Sequence, residues 1–238
     1  MRLILFDLDG TLLSSGGIGR RSTRLALESV FGTSGNLDEF YPGGRTQEAI
    51  FVDTLADAGI GLDQFHDKRD ELYQTFLDNF QGILDQGDYQ INTLPGAIQL
   101  IEYLNSKENF VLGLVTGNHT EAARLKMLNA GLDPNVYLAG AYGEESANRP
   151  DLVPLAKDRA ETITGKEFPE YYTIVVGDTT RDVLSAKSVN ATSFVVTTGT
   201  DERELLESVN PDSIFDNLHQ VLERFEFLEG RIGGIDGI

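Results

Sequence analysis

The sequence predicts an α/β fold, in which a Rossmann-like, doubly wound parallel sheet carries an inserted α-helical cap domain. Two observations support this prediction. From residue 92 onward, short apolar runs alternate with helical patterns, whereas residues 15–91 show helical patterns with no strand-like run. Alternating strands and helices favour a parallel sheet covered on both faces, with right-handed crossovers.

The first predicted strand ends at two carboxylates. Leu3–Phe6 is an apolar run of strand length, and Asp7, Asp9 and Gly10 follow it. A buried parallel strand ends in this way at an active-site edge. Residues i and i+2 of an extended chain point to the same side, and a glycine permits a sharp exit. We therefore expect the two carboxylates to lie together beyond the strand.

A helical segment follows the small residues Ser14 to Gly17, which suit a hinge. Helices are predicted over Arg20–Phe31, from Thr46 to Gly59 and over about Asp63–Leu84. The apolar residues of the third helix recur at the spacing of one buried face, which indicates a bundle core rather than a ligand site: Leu72, Phe76, Leu77, Phe80, Ile83 and Leu84. The predicted division is a core of residues 1–14 and 92–229, a cap of 15–91 and a flexible tail of 230–238.

The remaining strands and helices alternate. Further strands are predicted at Phe110–Val115, Val136–Ala141, Thr173–Val176 and Ser193–Thr197. Helices are predicted at Pro95–Ser106, from Asn118 to Gly131, at Pro150–Thr164, from Asp182 to about Val189, at Asp201–Ser208 and at Asn217–Phe227. Asn118 is placed to cap its helix, and Glu121 would complete the capping box.

Polar residues follow three of these strands and predict a metal site. Thr116 follows the second strand and Asp178 the fourth, and parallel sheets bind ligands beyond their carboxyl ends. Asp7, Asp9, Asp178 and Asp182 would converge there, and charges about 4 Å apart repel by roughly 4 kcal/mol per pair at an effective dielectric near 20. Carboxylate oxygens suit Mg²⁺. Asp182 is also explained as an acid in the first turn of its helix.

Charge and composition exclude several classes of function. The chain of 238 residues has 19 Lys and Arg against 38 Asp and Glu, giving a net charge of −19. This charge argues against nucleic-acid and anionic-membrane partners. The absence of cysteine excludes a disulfide, a thiolate nucleophile or a zinc–thiolate site. With no apolar stretch near the roughly 20 residues of a membrane helix and no signal-peptide pattern, we expect a soluble, cytoplasmic protein.

Three short motifs resemble those of the haloacid dehalogenase (HAD) superfamily of phosphatases and phosphomutases. They are Asp7 to Thr11, which matches the family's DxDGT motif, Val115 to Asn118, and Gly177 to Asp182. The chain resembles phosphoglycolate phosphatases of this family, and the resemblance implies the strand order 5-4-1-2-3. It also implies metal ligation by the carboxylates of Asp7 and Asp178 and the backbone carbonyl of Asp9, with Asp182 in support.

The chemistry that the resemblance implies begins with Asp7 as nucleophile, since a carboxylate can attack phosphorus and form an aspartyl phosphate. Asp9 would protonate the leaving oxygen and then activate water, which requires its acid form near neutral pH. Thr116, with the Gly117-Asn118 turn, would hold phosphate oxygens. The substrate would be a small phosphorylated metabolite, and Mg²⁺ would be the cofactor.

Two cationic side chains, Arg149 and Arg45, are further candidates for substrate binding. The family's third motif normally supplies a lysine, often just before a proline, but here Arg149 precedes Pro150. Arg149 would bind phosphate, since a guanidinium can bind two oxygens, and Lys157 ranks second. In the cap, Gly43-Gly44-Arg45-Thr46 is a candidate substrate contact, with Arg45 meeting a carboxylate or second phosphate. An ordinary interhelix loop with a helix cap is the alternative.

The leading functional hypothesis is a Mg²⁺-dependent phosphatase, as a monomer or weak homodimer. A sugar phosphomutase of the same family would share the active-site residues and differ in its cap. A non-catalytic phosphate-binding regulatory protein is the alternative from another class. Dehalogenase activity is disfavoured because those relatives lack the second acid, and a receiver domain is disfavoured by the inserted helices and the chain length.

Overall fold

A computed structural model of the chain describes residues 1–39 and 43–232. Within them the strands are β1 (Arg2–Phe6), β2 (Leu13–Ser14), β3 (Asn92–Thr93), β4 (Phe110–Val115), β5 (Ala139–Ala141), β6 (Thr173–Gly177), β7 (Thr192–Val196) and β8 (Ser213–Phe215). The helices are α1 (Ile18–Phe31), α2 (Gln47–Asp57), α3 (Leu62–Gln86), α4 (Ala97–Asn105), α5 (Thr120–Asn129), α6 (Leu152–Thr164), α7 (Thr180–Ser188), α8 (Arg203–Ser208) and α9 (Leu218–Ile232).

The main sheet is parallel throughout, with the order β5-β4-β1-β6-β7-β8. Phe6, at the end of β1, lies opposite Leu114 of β4 and Val176 of β6. The residues that follow β1, β4 and β6 therefore meet at one edge. This confirms the predicted fold class and the implied strand order. The edge strand β8 was not predicted, because its three residues give too short an apolar run to stand out.

Side chains on the two faces of β1 enter two different hydrophobic clusters. Leu3 and Leu5 belong to the cluster that contains α6, whereas Ile4 and Phe6 belong to the cluster that contains α4 and α9. All four are fully buried. Alternation in an extended strand produces this arrangement, and it explains why the strand is apolar at every position.

The segment between β1 and α4 is helical, as predicted. It leaves and returns through a small antiparallel pair, in which Leu13 lies opposite Thr93 and Ser14 opposite Asn92. Phe51, Phe76 and other aromatic residues are buried among its helices, which supports the interpretation of this apolar face as packing core. The start and end of the helical segment are thus side by side at the sheet edge.

Some predicted boundaries are wrong. The third predicted strand begins at Ala139 rather than Val136, because residues 134–136 form a 3₁₀ turn that starts at a proline. Helix α9 continues to Ile232, so the first three residues of the predicted tail 230–238 are helical, and residues 233–238 lie outside the described part of the chain. No helix in the described part of the chain is both long enough and apolar enough to cross a membrane.

The helix cap before α5 is also different from the prediction. His119, not Asn118, is the N-cap residue, and its Nδ1 accepts a hydrogen bond of 3.1 Å from the backbone N–H of Glu121. The side chain of Asn118 points instead to Asp9 and Thr116. The sequence pattern did not distinguish two adjacent polar residues at the start of a helix.

Candidate active site

Three carboxylates meet where β1 and β6 end. Asp7 follows β1, Asp178 follows β6, and Asp182 lies in the first turn of α7. All three are buried, and one carboxylate oxygen from each lies within 4.8 Å of the others. The prediction that these acids converge is thus consistent with the geometry, although Asp9 lies outside this group of three.

The turn after β1 positions Asp178 as well as Asp7. Gly10 has a φ of 83°, and a Cβ atom at this position would lie 2.3 Å from Asp178 Oδ2. Only glycine combines this conformation with such a close approach. The neighbouring Thr11 donates a hydrogen bond of 2.9 Å to Asp178 Oδ1. Gly10 and Thr11 of the first motif therefore help to position the carboxylate of Asp178.

Arg149 supplies the positive charge at this cluster. Its guanidinium is buried, lies 3.3 Å from Asp7 Oδ2 and hydrogen-bonds Asp182 Oδ1. It also donates to the backbone oxygen of Gly44 at 3.1 Å. Lys157, the second candidate, pairs with Glu161 along α6 at 2.7 Å. Arg149, and not Lys157, is therefore the candidate cation that lies at the carboxylate cluster.

The cluster carries more negative than positive charge, and the pKa values of its acids reflect this. Burial raises the pKa of Asp7 to about 6, with Asp182 adding to the rise and Arg149 offsetting part of it. Burial raises the pKa of Asp178 well above its usual range, and Asp7 and Asp182 add to the rise. Both shifts mean that ionised carboxylates are unfavourable here without a further cation.

Asp182 is already bound on both of its oxygens. Oδ2 accepts hydrogen bonds from the N–H and hydroxyl of Thr179, at 3.0 and 2.6 Å, which forms the capping box of α7. Oδ1 accepts from Arg149. Asp182 therefore holds Thr179 and Arg149 in place, which agrees with a supporting position.

The donor set fits a small divalent cation. Carboxylate oxygens are hard ligands, and Mg²⁺ is commonly held by one or two carboxylates. Asp7 and Asp178 have oxygens near one another and raised pKa values. Asp178 accepts a hydrogen bond from Thr11 on one oxygen, whereas both oxygens of Asp182 accept hydrogen bonds. Asp7 and Asp178 are thus the carboxylates best placed to bind such an ion.

Asp9 lies in a different environment from Asp7. Its Oδ2 accepts hydrogen bonds from Lys126 Nζ at 2.6 Å and Asn118 Nδ2 at 2.8 Å, and Oδ1 accepts from the Ser15 hydroxyl. Burial acts to raise the pKa of Asp9, but the ammonium of Lys126 and these hydrogen bonds outweigh it and lower the pKa. In the ligand-free structure these partners therefore favour the ionised form of Asp9 over the acid form that the first step of the expected reaction requires.

Lys126 is the site residue that sequence reasoning missed. Its side chain is 4% exposed, and it lies on α5 beside buried Ala122, Ala123 and Met127. A lysine at the i+3 and i+4 positions of a buried helical face is unusual, since charged side chains are seldom buried without a partner. This pattern was visible in the sequence and could have identified Lys126.

Residues Thr116 to Asn118 of the second motif are fixed by hydrogen bonds at the edge of the cavity. Thr116 is fully buried and accepts hydrogen bonds from the N–H and side-chain amide of Asn118, at 3.3 and 2.8 Å. The carbonyl oxygen of Gly117 accepts a hydrogen bond of 2.8 Å from the N–H of Gln47. Gly117 and Asn118 line the cavity, while Thr116 supports Asn118 from behind.

The loop before α2 lies against the core. A Cβ atom at Gly117 would lie 2.0 Å from the carbonyl oxygen of Arg45, so the two backbones are in close contact. The guanidinium of Arg45 lines the cavity and is paired with Asp53. Thr46 is fully buried and caps α2, accepting a hydrogen bond of 3.2 Å from the N–H of Ala49. The side chain of Thr46 thus follows the helix-cap alternative.

A cavity of about 450 Å³ connects these groups. Its floor contains Asp7, Asp9 and Asp178, and its wall includes residues of α1, α2 and the loop between them: Gly17, Gly19, Arg20, Thr23, Leu37, Gly44, Arg45, Gln47 and Ile50. This volume lies within the range of pockets for small molecules. The inserted helices therefore help to enclose whatever occupies the sheet edge.

Several known proteins are similar to this chain in sequence. A family model described as haloacid dehalogenase-like hydrolase matches residues 1–190. A phosphoglycolate phosphatase from Vibrio parahaemolyticus is 26% identical over 234 residues, which cover 94% of this chain and 95% of the relative. Pyrophosphatase PpaX from Halalkalibacterium halodurans is 25% identical over 223 residues, covering 92% and 94%.

A solved structure supports the fold independently. The crystal structure of a hydrolase from Pseudomonas syringae has a TM-score of 0.71 and 21% sequence identity, and the match covers 95% of this chain and 98% of that one. The implied family is confirmed, because the family model spans most of the chain, including all three motifs. This chain therefore belongs to the haloacid dehalogenase-like hydrolases.

Proposed function

We propose that this chain is a Mg²⁺-dependent phosphatase that hydrolyses a small phosphate monoester through an aspartyl phosphate on Asp7. The observation that carries the proposal is the buried cluster of Asp7, Asp178 and Asp182 beside Arg149, on the floor of a cavity suited to a small molecule. The names of two curated relatives, phosphoglycolate phosphatase and pyrophosphatase, support hydrolysis of a small phosphate compound, and the first of them a phosphate monoester.

In the first half of the reaction, a carboxylate oxygen of Asp7 attacks phosphorus and the bond to the leaving oxygen breaks. Asp9 gives its proton to that oxygen. A phosphate dianion beside Asp9 raises the pKa of this carboxyl, which favours the acid form when substrate is bound. Bound Mg²⁺, held by Asp7, Asp178 and the backbone carbonyl of Asp9, would reduce the repulsion between the two anions.

In the second half, Asp9 accepts a proton from water as the water oxygen attacks phosphorus. The bond between phosphorus and Asp7 then breaks, releasing inorganic phosphate and restoring the Asp7 carboxylate. The hydrogen bonds from Lys126, Asn118 and Ser15 favour the ionised Asp9 that this step requires. Arg149 and the turn of Thr116, Gly117 and Asn118 are proposed to bind phosphate oxygens.

We further propose that residues 15–91 act as a cap and select the substrate. Support comes from the cavity wall, to which α1, α2 and Arg45 contribute. The close contact between Gly117 and the loop before α2 places this wall next to the proposed phosphate site. A short substrate would contact both parts at once.

Phosphate release tests the proposal. The panel contains phosphoglycolate, pyrophosphate, sugar phosphates, nucleotides and p-nitrophenyl phosphate, each with Mg²⁺ or with EDTA. We expect Mg²⁺-dependent release by the wild type and a loss on the order of 10⁴-fold or more in Asp7→Asn. Equal release by the variant would contradict the assignment of Asp7. If no compound releases phosphate, isomerisation of sugar phosphates tests the mutase alternative.

A further inference from the structure

We infer that Lys126 is a positioning residue that fixes the carboxylate of Asp9 toward the leaving oxygen. The inference rests on the proposed phosphatase function and deepens it. None of the three sequence motifs contains Lys126. Its role follows from three features of the structure: the reach of its side chain, its hydrogen-bond partners and its burial.

The side chain of Lys126 reaches the sheet edge because of its place on α5. Residues of an α-helix direct their side chains toward the N-terminus of the helix. The N-terminus of α5 follows the end of β4, where Thr116 to Asn118 form the turn. A lysine in the second turn of α5 can therefore extend back along the helix and place its ammonium on the cavity wall.

The ammonium orders two side chains at once. Nζ donates to Asp9 Oδ2 and to Asn118 Oδ1, both at 2.6 Å. Because an ammonium only donates, the amide oxygen of Asn118 must face Lys126, and its NH₂ group then faces Asp9 and Thr116. Removing Lys126 would thus release the rotation of Asp9 and the orientation of Asn118 together.

Stability alone does not account for a lysine at this position. Burying an ammonium carries a desolvation penalty, and replacing buried ion pairs by apolar residues of similar volume is often neutral or stabilising. The neighbours of Lys126 on the same helix face are Ala122, Ala123 and Met127, so an apolar residue would suit the packing. Lys126 instead faces Gly19, where an added Cβ atom would lie 3.7 Å from Nζ, and the ammonium remains at the cavity.

The test compares two leaving groups in single-turnover cleavage with excess enzyme and Mg²⁺. Phosphoglycolate has a basic alkoxide leaving group that needs a proton, whereas p-nitrophenolate leaves without one. We expect Lys126→Met to slow cleavage of phosphoglycolate by about 100-fold, the usual size of general-acid catalysis, and p-nitrophenyl phosphate by less than about tenfold. KM should change little, and Lys126→Arg should restore part of the rate.

A double-mutant cycle identifies the residue through which Lys126 acts. In an Asp9→Asn background, Lys126→Met should slow phosphoglycolate cleavage no further than about twofold, since the carboxylate that it positions is gone. Lys187→Met is the matched control, because Lys187 binds the carbonyl oxygen of Val209 on an exposed part of α7. This control should keep wild-type rates with both substrates.

Thermal unfolding separates a positioning role from a structural one. We expect Lys126→Met to unfold only slightly below the wild-type temperature, because Asp9 loses its cation but is partly exposed and keeps Asn118 and Ser15 as donors. Equal losses with both leaving groups, a full further loss in the Asp9→Asn background, or a large drop in unfolding temperature without leaving-group dependence would each overturn the inference. Wild-type turnover that requires Asp7 shows in the same experiment that the proposed function stands, whereas absence of wild-type turnover refutes both.

Discussion

Asp7 and Asp9 are two residues apart, yet they lie in regions of the cavity floor with opposite charge balance. On the Asp7 side, the guanidinium of Arg149 pairs with Asp7 and Asp182, and the carboxylate of Asp178 lies beside theirs. On the Asp9 side, one carboxylate receives hydrogen bonds from an ammonium, an amide and a hydroxyl. Burial, with repulsion from Asp182, raises the pKa of Asp7, whereas at Asp9 the ammonium of Lys126 and the hydrogen bonds outweigh burial and lower the pKa.

The difference between the two regions shows where positive charge is missing. Asp7, the proposed nucleophile, must be ionised to react, and burial makes its ionised form less favourable than that of an exposed Asp. A bound divalent cation reverses this preference, because it is the largest local charge in such a site. The Asp9 side already has its counter-charge within the protein. We therefore expect metal to act on the Asp7 side and Lys126 on the Asp9 side.

The largest expected effect on stability is at Arg149. Replacing Arg149 by Ala leaves Asp7 and Asp182 buried without their cation, which should lower the free energy of unfolding by about 3 to 5 kcal/mol. Urea unfolding at neutral pH in EDTA measures the change. The control is Arg203→Ala, which removes an exposed pair with Asp216 and should cost below about 1 kcal/mol. Equal losses in the two variants would contradict the claim that Asp7 and Asp182 depend on Arg149 for their counter-charge.

A smaller effect of opposite sign is expected at Asp178. Because the pKa of Asp178 is raised in the folded state, that state binds more protons than the unfolded chain, and stability falls as pH rises through this window. Asp178→Asn removes this penalty and can keep the hydrogen bond from Thr11. In EDTA at pH 7.5 the variant should be more stable than the wild type, as urea unfolding measures.

Two comparisons make the Asp178 prediction specific. The gain in stability should shrink as the pH falls toward about 4, the usual pKa of an unfolded Asp, because the unfolded chain then also begins to bind the proton. Added Mg²⁺ should raise the melting temperature of the wild type more than that of Asp178→Asn. A variant that is less stable than wild type at pH 7.5 in EDTA would show that Asp178 is not under repulsion.

The smallest effect is expected at Ser15. Ser15→Ala removes one donor to Asp9 but leaves those of Lys126 and Asn118. One hydrogen bond to a half-exposed carboxylate should change the free energy of unfolding by about 1 kcal/mol or less. Thermal unfolding of this variant beside Arg149→Ala compares the two sides directly. A loss as large as that of Arg149→Ala would mean that the Asp9 side is not balanced by its remaining donors.

The sequence predicted the parts of the site that depend on strand ends. Asp7, Thr116 and Asp178 each follow an apolar run, and the parallel sheet brings these positions to one edge. The sequence did not predict the partners of Asp9, because the contact between Asp9 and Lys126 joins residues 117 positions apart. Such pairs depend on how α5 packs beside β1, which local patterns do not encode.

Helix caps and cap-domain contacts show the same limit. The pattern at Thr46 allowed either a substrate contact or a helix cap, and the buried hydroxyl on the N–H of Ala49 corresponds to the cap. Arg45 was a candidate substrate contact, and in the ligand-free structure it pairs with Asp53 on α2. Tertiary packing determines the partners of both Thr46 and Arg45, and local sequence patterns do not record it.

Detection of the aspartyl phosphate tests the central claim most directly. The enzyme is mixed with Mg²⁺ and p-nitrophenyl phosphate, quenched in acid and digested, and the peptide containing Asp7 is analysed by mass spectrometry. The account predicts a phosphoryl group on Asp7, with greater accumulation in Asp9→Asn because water is no longer activated. Release of phosphate by the wild type with Asp7 unmodified in both proteins would contradict it.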